Sequence, residues 1–291
     1  MISEKQTDNL ESRRKKEKFF FTLFNICGMT VILILVFFIG YVVIMGISAM
    51  SWDFFTTTPG GGMRSGGIVT PLIGTIYLMG LVAIVSIPLG VLTAVYISEY
   101  QSNRLMGRVW KVVVGNLAGI PSIVYGLLGL AMFVTALGLG FSLLAASLTL
   151  SLLVLPIVIM ASREAIAAVP QSIRDASTAL GATKWQTTVH HVLPYSISGI
   201  STGIILALSR AAGETAPIML TGAVFFMSLP PSSVTSKFMA LPYHIYGTAT
   251  QSYGVPSDLI FGAALALLLI VLGMNLVAIV IRSKFRSKYR W

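Results

Sequence analysis

Six separated runs of apolar residues, each close to the ~20 needed to cross a hydrocarbon layer as a helix, restrict this chain's folds more than any other feature. They cover roughly 22–47, 72–98, 112–137, 141–162, 196–224 and 259–281. A backbone in lipid has to satisfy its own amides, which leaves helices or a closed barrel. The short alternating segments of a barrel are absent, so the spans are helical. Only 10% of the 291 residues are charged and 55% are hydrophobic, against about a quarter charged in soluble domains. The expected fold is an all-α membrane protein with six transmembrane helices. Residues 1–21 read as a solvated tail and 22–281 as the transmembrane domain, with a polar connection at 163–194, and 282–291 as a basic tail.

The formal net charge is +10, and its placement decides what it means. Lys5, Arg13, Arg14, Lys15, Lys16 and Lys18 precede the first span, and Arg282, Lys284, Arg286, Lys288 and Arg290 follow the last. The connections at 99–111 and 163–194 add Arg104, Arg108, Lys111, Arg163, Arg174 and Lys184. The alternate connections, 48–71, 138–140 and 225–258, hold only Arg64 and Lys237. The positive-inside rule then puts both termini in the cytosol. Basic residues flanking spans serve orientation and lipid contact, so nucleic acid is not the expected partner.

Smaller features bear on packing. Pro88, Pro121, Pro156 and Pro217 lie inside four of the spans, where each removes a backbone donor and favours a kink. Gly115/Gly119, Gly199/Gly203 and Ala207/Ala211 repeat at the four-residue spacing that lets helices approach closely. Cys27, the only cysteine, rules out an internal disulfide and reads as a small buried apolar residue. The first span is too long for a signal peptide and lacks a cleavage site, so it is expected to be retained. The glycine-rich stretch 56–71 reads as turns, and Tyr243, Tyr246 and Tyr253 suit the membrane–water interface.

The polar connection is patterned as two short helices. Ser172 with Asp175, and Thr183 with Gln186, have capping-box spacing, and Gly181 stands between them where a helix commonly ends. Ile173, Ala176 and Leu180 share one face of the first helix; Trp185, Val189, Val192 and Leu193 share one face of the second. The first face offers little to lipid and more to a shallow protein groove. His190 and His191 read as surface or docking residues. The stretch is similar to the "EAA" loop of the inner-membrane subunits of bacterial ABC importers: Asp175-Ala176-Ser177, then Gly181, then Leu193-Pro194 at matching spacing. It departs in Asp for Glu, Ser for the second Ala, and His191 where Ile usually stands. The resemblance implies docking into a cleft of a nucleotide-binding subunit, with Glu164, Asp175, Ala176, Gly181, Leu193 and Pro194 as coupling residues. No G-x-x-x-x-G-K-[ST] phosphate loop occurs. The chain is therefore expected to be a transporter subunit rather than an enzyme, binding no cofactor itself, with ATP and Mg on the partner ATPase.

Arg210 and Glu214 stand four apart inside the fifth run. A charge within the bilayer costs at least about 2.5 kcal/mol, so both are expected to point into the protein. An ion pair locking helices would account for them. So would a pathway element, in which the guanidinium meets tetrahedral oxyanions and Glu214 competes to keep binding weak. The surrounding "RAAGETAPIMLTGA" resembles phosphate importer permeases, as do "GGIVTPLIGTIYLMGLVAIVSIPLGVLTAVYISEY" (66–100) and "LAGIPSIVYGLLGL" (117–130). The similarity runs from about Gly66 to Ala223, and the "GETAP" version resembles the PstA type of the family. It implies an ABC type I importer permease (MetI-like) fold in the bacterial inner membrane. It also implies a second, paralogous permease of the PstC type, a homodimeric ATP-binding subunit and an extracytoplasmic phosphate-binding protein. A permease for sulfate or molybdate, or a secondary transporter or channel acting alone, stays open as an alternative.

Overall fold

The computed structural model describes the backbone of residues 4–101 and 103–288. The side chains of Lys5, Arg104, Lys111, Lys284, Arg286, Lys288 and Arg290, counted above, lie outside the described set. The first helix, α1, runs Glu4–Gly46 without a break, so the expected N-terminal tail continues the span as helix. At 43 residues it is about 65 Å long. It meets the rest of the chain near its far end, where Tyr41 packs edge-on against Phe261 with ring centroids 5.4 Å apart. Cys27 is accordingly exposed, not buried: it lies on a stretch of α1 that no other described element covers.

After the short helix α2 (Trp52–Thr56), the glycine-rich stretch forms a small hairpin in which β1 (Pro59–Gly60) pairs with β2 (Ser65–Gly66). Helix α3 (Val69–Val95) continues into a wider π-type turn at Tyr96–Tyr100. The third apolar run is not one straight span. It divides into α4 (Arg104–Ala118) and α5 (Ser122–Gly129), the latter prolonged through Leu130–Ala136, and the two limbs differ in direction by 98°. Pro121 causes the break, since it disfavours helical backbone in the residue before it and opens α5 as its N-cap. Pro88 and Pro156, by contrast, sit inside the continuous helices α3 and α6 (Leu143–Ala167). Among the described residues, five helices are long and apolar enough to cross a membrane, or six with the bent pair counted as one.

Helix α6 lies between α3 and α9 (Leu193–Gly213) and forms the centre of the bundle. Leu150, Val154 and Val158 on α6 are buried against Leu78 and Val82 of α3 and Ala207 and Ala211 of α9. The four-residue repeat on α9 works as expected. A Cβ at Gly199 would come within 2.6 Å of the Ala165 methyl, and one at Gly203 would overlap Ala161. The repeat on α4 does not: a Cβ at Gly115 would meet nothing. On the other side of α9 lies α12 (Ser257–Lys288), joined through Ser209 Oγ to Asn275 Oδ1 at 2.5 Å, and α1 lies on α12.

Segment 220–240 ties this bundle off at one end. Carbonyls of Thr221, Ser236 and Val234 accept from the amides of Ser142, Leu143 and Leu144 at 2.8–3.1 Å, supplying partners that the start of α6 lacks. Helix α11 (Leu241–Thr250) follows, its first amide donating to Thr75 Oγ1 at 2.9 Å. Of the tyrosines expected at the interface, Tyr253 and Tyr246 are exposed, and Tyr243 stacks on Tyr246. His244 on α11 is buried, with Nδ1 unpartnered among the described residues, and burial pushes its imidazole down to about 4 from 6.5. Folded, it stays neutral while the unfolded chain takes up a proton below about 6.5, so stability is lost as pH falls from there towards 4. Thermal unfolding of the solubilised protein should show about 2 kcal/mol lost between pH 6.5 and 5, a slope that His244→Phe abolishes.

Candidate functional site

The polar connection folds as a helical hairpin at the end of the bundle opposite segment 220–240. Its first limb is α7 (Gln171–Ala179) and its second α8 (Lys184–Thr187), prolonged by a π-type turn at Thr188–Val192 directly into α9. Gly181 has φ +83°. The Gly181 amide donates to Thr178 O at 2.9 Å and the Ala182 amide to Ser177 O at 3.2 Å, the two bonds of a Schellman ending. The expected Thr183–Gln186 capping box forms in both directions. The Ser172–Asp175 box does not. Helix α7 starts two residues earlier, with Pro170 at its N-cap, so Ser172 lies inside its first turn, and Asp175 Oδ1 instead accepts from Gln171 Nε2 at 3.0 Å. Inside the hairpin, Ser177 Oγ and Thr187 Oγ1 share a buried hydrogen bond of 2.9 Å that holds the two limbs together.

The shared faces expected of each limb are split by this geometry. Leu180 is 90% exposed and Trp185 62% exposed at the tip, and Ala176 is exposed beside them. Ile173, Val192 and Leu193 turn the other way, into a cluster with Ile166, Val169 and Ile200. The hairpin thus has an apolar root and an open tip carrying two large apolar side chains. Asp175, Ala176 and Gly181 lie on its exposed side, whereas Leu193 and Pro194 are half-buried at its root. Glu164 is separate: it lines a small cavity of about 60 Å³ with Trp110 and Arg163. His190 and His191 are exposed, and His190 Nδ1 lies 3.0 Å from Gln186 O.

One pair was missed by sequence reasoning. Arg174 on α7 and Glu99 in the turn ending α3 form a salt bridge at 2.8 Å, with side chains only 15% and 13% exposed. The two residues stand 75 positions apart, and no local spacing connects them. The one available signal was that Glu99 closes an apolar run. A polar cavity of about 440 Å³ adjoins the pair, lined also by Ser98, Asp175 and Lys184.

Arg210 and Glu214 are paired, Nε to Oε1 at 3.3 Å, but not as interior groups of a long span. Helix α9 ends at Gly213, and Glu214 has extended backbone (φ −73°, ψ 129°) before the four-residue helix α10 (Ala216–Met219). Pro217 at the start of α10 cannot continue a helix from α9, so the run 196–224 is broken. The Arg210 side chain is 45% exposed and that of Glu214 15%. The guanidinium therefore stands on an open face at one end of α9, with the hairpin at the other.

Residues 86–291 match the family described as "Binding-protein-dependent transport system inner membrane component". Among curated relatives, a protein of Mycobacterium tuberculosis (strain CDC 1551 / Oshkosh) named "Phosphate transport system permease protein PstA 1" is 38% identical over 218 residues, 75% of this chain and 71% of that one. A Bacillus subtilis protein named "Probable ABC transporter permease protein YqgI" is 31% identical over 92% of this chain and 95% of that one. Among solved structures, a chain of a bacterial ABC transporter that imports the acidic polysaccharide alginate superposes with TM-score 0.64 over 94% of this chain and 99% of that one. At 16% identity this likeness concerns the fold.

Proposed function

This chain belongs to the family of binding-protein-dependent transport system inner membrane components, and from that premise we propose that it is the membrane-spanning permease subunit of an ATP-driven phosphate importer. It is a multi-pass transport subunit and not an enzyme; an ATPase and a binding protein are the partners its family implies. The observation that carries the mechanism is the hairpin, whose tip offers Leu180 and Trp185 to a partner while its root is packed into the bundle. We place the hairpin and both termini in the cytosol, following the basic residues. ATP and Mg belong to a homodimeric ATPase gripping α7 and α8, and a second, PstC-type permease completes the pathway. An extracytoplasmic phosphate-binding protein delivers the anion at the opposite face.

Because α8 passes into α9 without a loop, a push on the hairpin is a push on α9. Arg210 lies 17 residues beyond Leu193, about 25 Å along the helix. Closure of the ATPase would shift this rigid element and, with it, the guanidinium at its far end, alternating access to the anion. The exposed face of Arg210 is where the partner permease would close the pathway. There the planar fork suits a tetrahedral oxyanion, and Glu214 competes with the anion so that it leaves again.

Uptake of radiolabelled inorganic phosphate by cells carrying the whole transporter tests this reading. We expect ATP-dependent uptake that excess sulfate or molybdate leaves intact; competition by either would shift the substrate to that anion. Arg210→Gln should lower uptake about 10-fold or more, as loss of a charge-assisted contact worth roughly 1.5–3 kcal/mol would, with little change in the amount of membrane protein. Parallel loss of protein would make the pair a helix lock instead.

A further inference from the structure

Helix α3 has no chain connection to the hairpin: the hairpin joins α6 on one side and α9 on the other. Arg174 bridges that gap. Its Nε and Nη2 engage both oxygens of Glu99 at 2.8–3.3 Å, in the turn that ends α3. Its other donors go to carbonyls in the last turn of α6 and just beyond it, Nη2 to Ile166 O at 2.9 Å and Nη1 to Val169 O at 2.6 Å. One guanidinium thus holds three elements at once, which the single ammonium of a lysine could not do in a fixed geometry. The apolar contacts beside it, among Ala94, Val95, Ile166 and Val169, resist separation but not sliding. Directional, charge-assisted bonds resist both.

Resting on the reading of α7 as the ATPase-facing helix, we propose that the Arg174–Glu99 pair is the joint that carries a displacement of the hairpin into α3. Without it, an ATPase stroke reaches α6 and α9 through the chain but leaves the end of α3 behind. The pathway-forming helices then fail to move as one body. Arg174 and Glu99 are positioning residues: they touch neither anion nor nucleotide.

The test uses the assembled transporter in proteoliposomes, with ATP hydrolysis and uptake of labelled inorganic phosphate measured on the same preparation. Glu99→Gln should leave assembly and ATP hydrolysis unchanged and lower the phosphate moved per ATP about tenfold, within the range of ordinary coupling free energies. Glu99→Asp, which keeps the charge, should restore most of it. In parallel, a spin label on Tyr96→Cys in a Cys27→Ser background, at an exposed site of the same turn, should move on ATP binding in the parent protein and stay still with Glu99→Gln. Two outcomes overturn the joint: a label that moves equally in both, or uptake and hydrolysis falling together with the amount of assembled protein. A parent transporter that hydrolyses ATP and moves its label but takes up no phosphate would fail the substrate reading alone.

Discussion

Gly181→Pro leaves the chain in the membrane and lowers ATP-driven uptake about 10- to 100-fold, the loss expected when a coupling free energy of roughly 1–3 kcal/mol disappears. The hairpin reverses at a φ of +83°, whereas proline is held near −65° and has no amide to donate. The bond from the Gly181 amide to Thr178 O, 2.9 Å long, is lost, and the direction of α8 relative to α7 is lost with it. Nothing stands within 4 Å of a Cβ built at this position, so Gly181→Ala meets only the backbone cost of a left-handed residue, about 1 kcal/mol, and should lose far less uptake. Gly181 is exposed at the hairpin tip, away from the buried cluster that joins α3, α6 and α9, so folding survives both changes. Quantified membrane protein, uptake and ATP hydrolysis on the three proteins decide it: full uptake by the proline variant would remove the hairpin's shape from the coupling mechanism.

The largest effect on stability is expected at Gly203. A Cβ there overlaps the methyl of Ala161, at a close approach of α6 and α9. Interiors are too dense to absorb added methyls without moving a helix, so Gly203→Ala should cost about 1–3 kcal/mol and Gly203→Ile more. Because the two sites touch, their effects should not add. The double variant Gly203→Ala with Ala161→Gly exchanges the methyl for a hydrogen across the same contact and should recover most of the loss. Thermal unfolding of the purified protein, with yield from membranes as a second measure, checks this. Equal yields and midpoints for all variants would mean that α6 and α9 can separate freely there.

Much of this architecture is written locally. The apolar runs counted along the chain reappear as helices, because span length is set by the thickness of hydrocarbon and each helix satisfies its own amides. The reversal at Gly181 and the capping box at Thr183 and Gln186 were equally legible, since each depends on residues within one turn. Boundaries were less so. A run of apolar residues states that a segment avoids water, not that it stays straight: hence the bend at Pro121 and the end of α9 at Gly213 inside runs that read as continuous. Ser172 had the right partner at the right spacing and still forms no cap, because Pro170 sets the start of α7 two residues earlier.

What the sequence determined by itself is therefore the membrane class, the helical hairpin and the loop pattern that resembles an importer's coupling segment, all of them short-range consequences of hydrophobicity and backbone geometry. Only the tertiary structure decided that Cys27 is exposed, that Arg210 faces an open surface, and that Glu99 meets Arg174 across 75 residues. Those facts depend on which helices lie side by side: a spacing of small residues marks a face for close packing, but many weak contacts between distant residues decide which helix fills it.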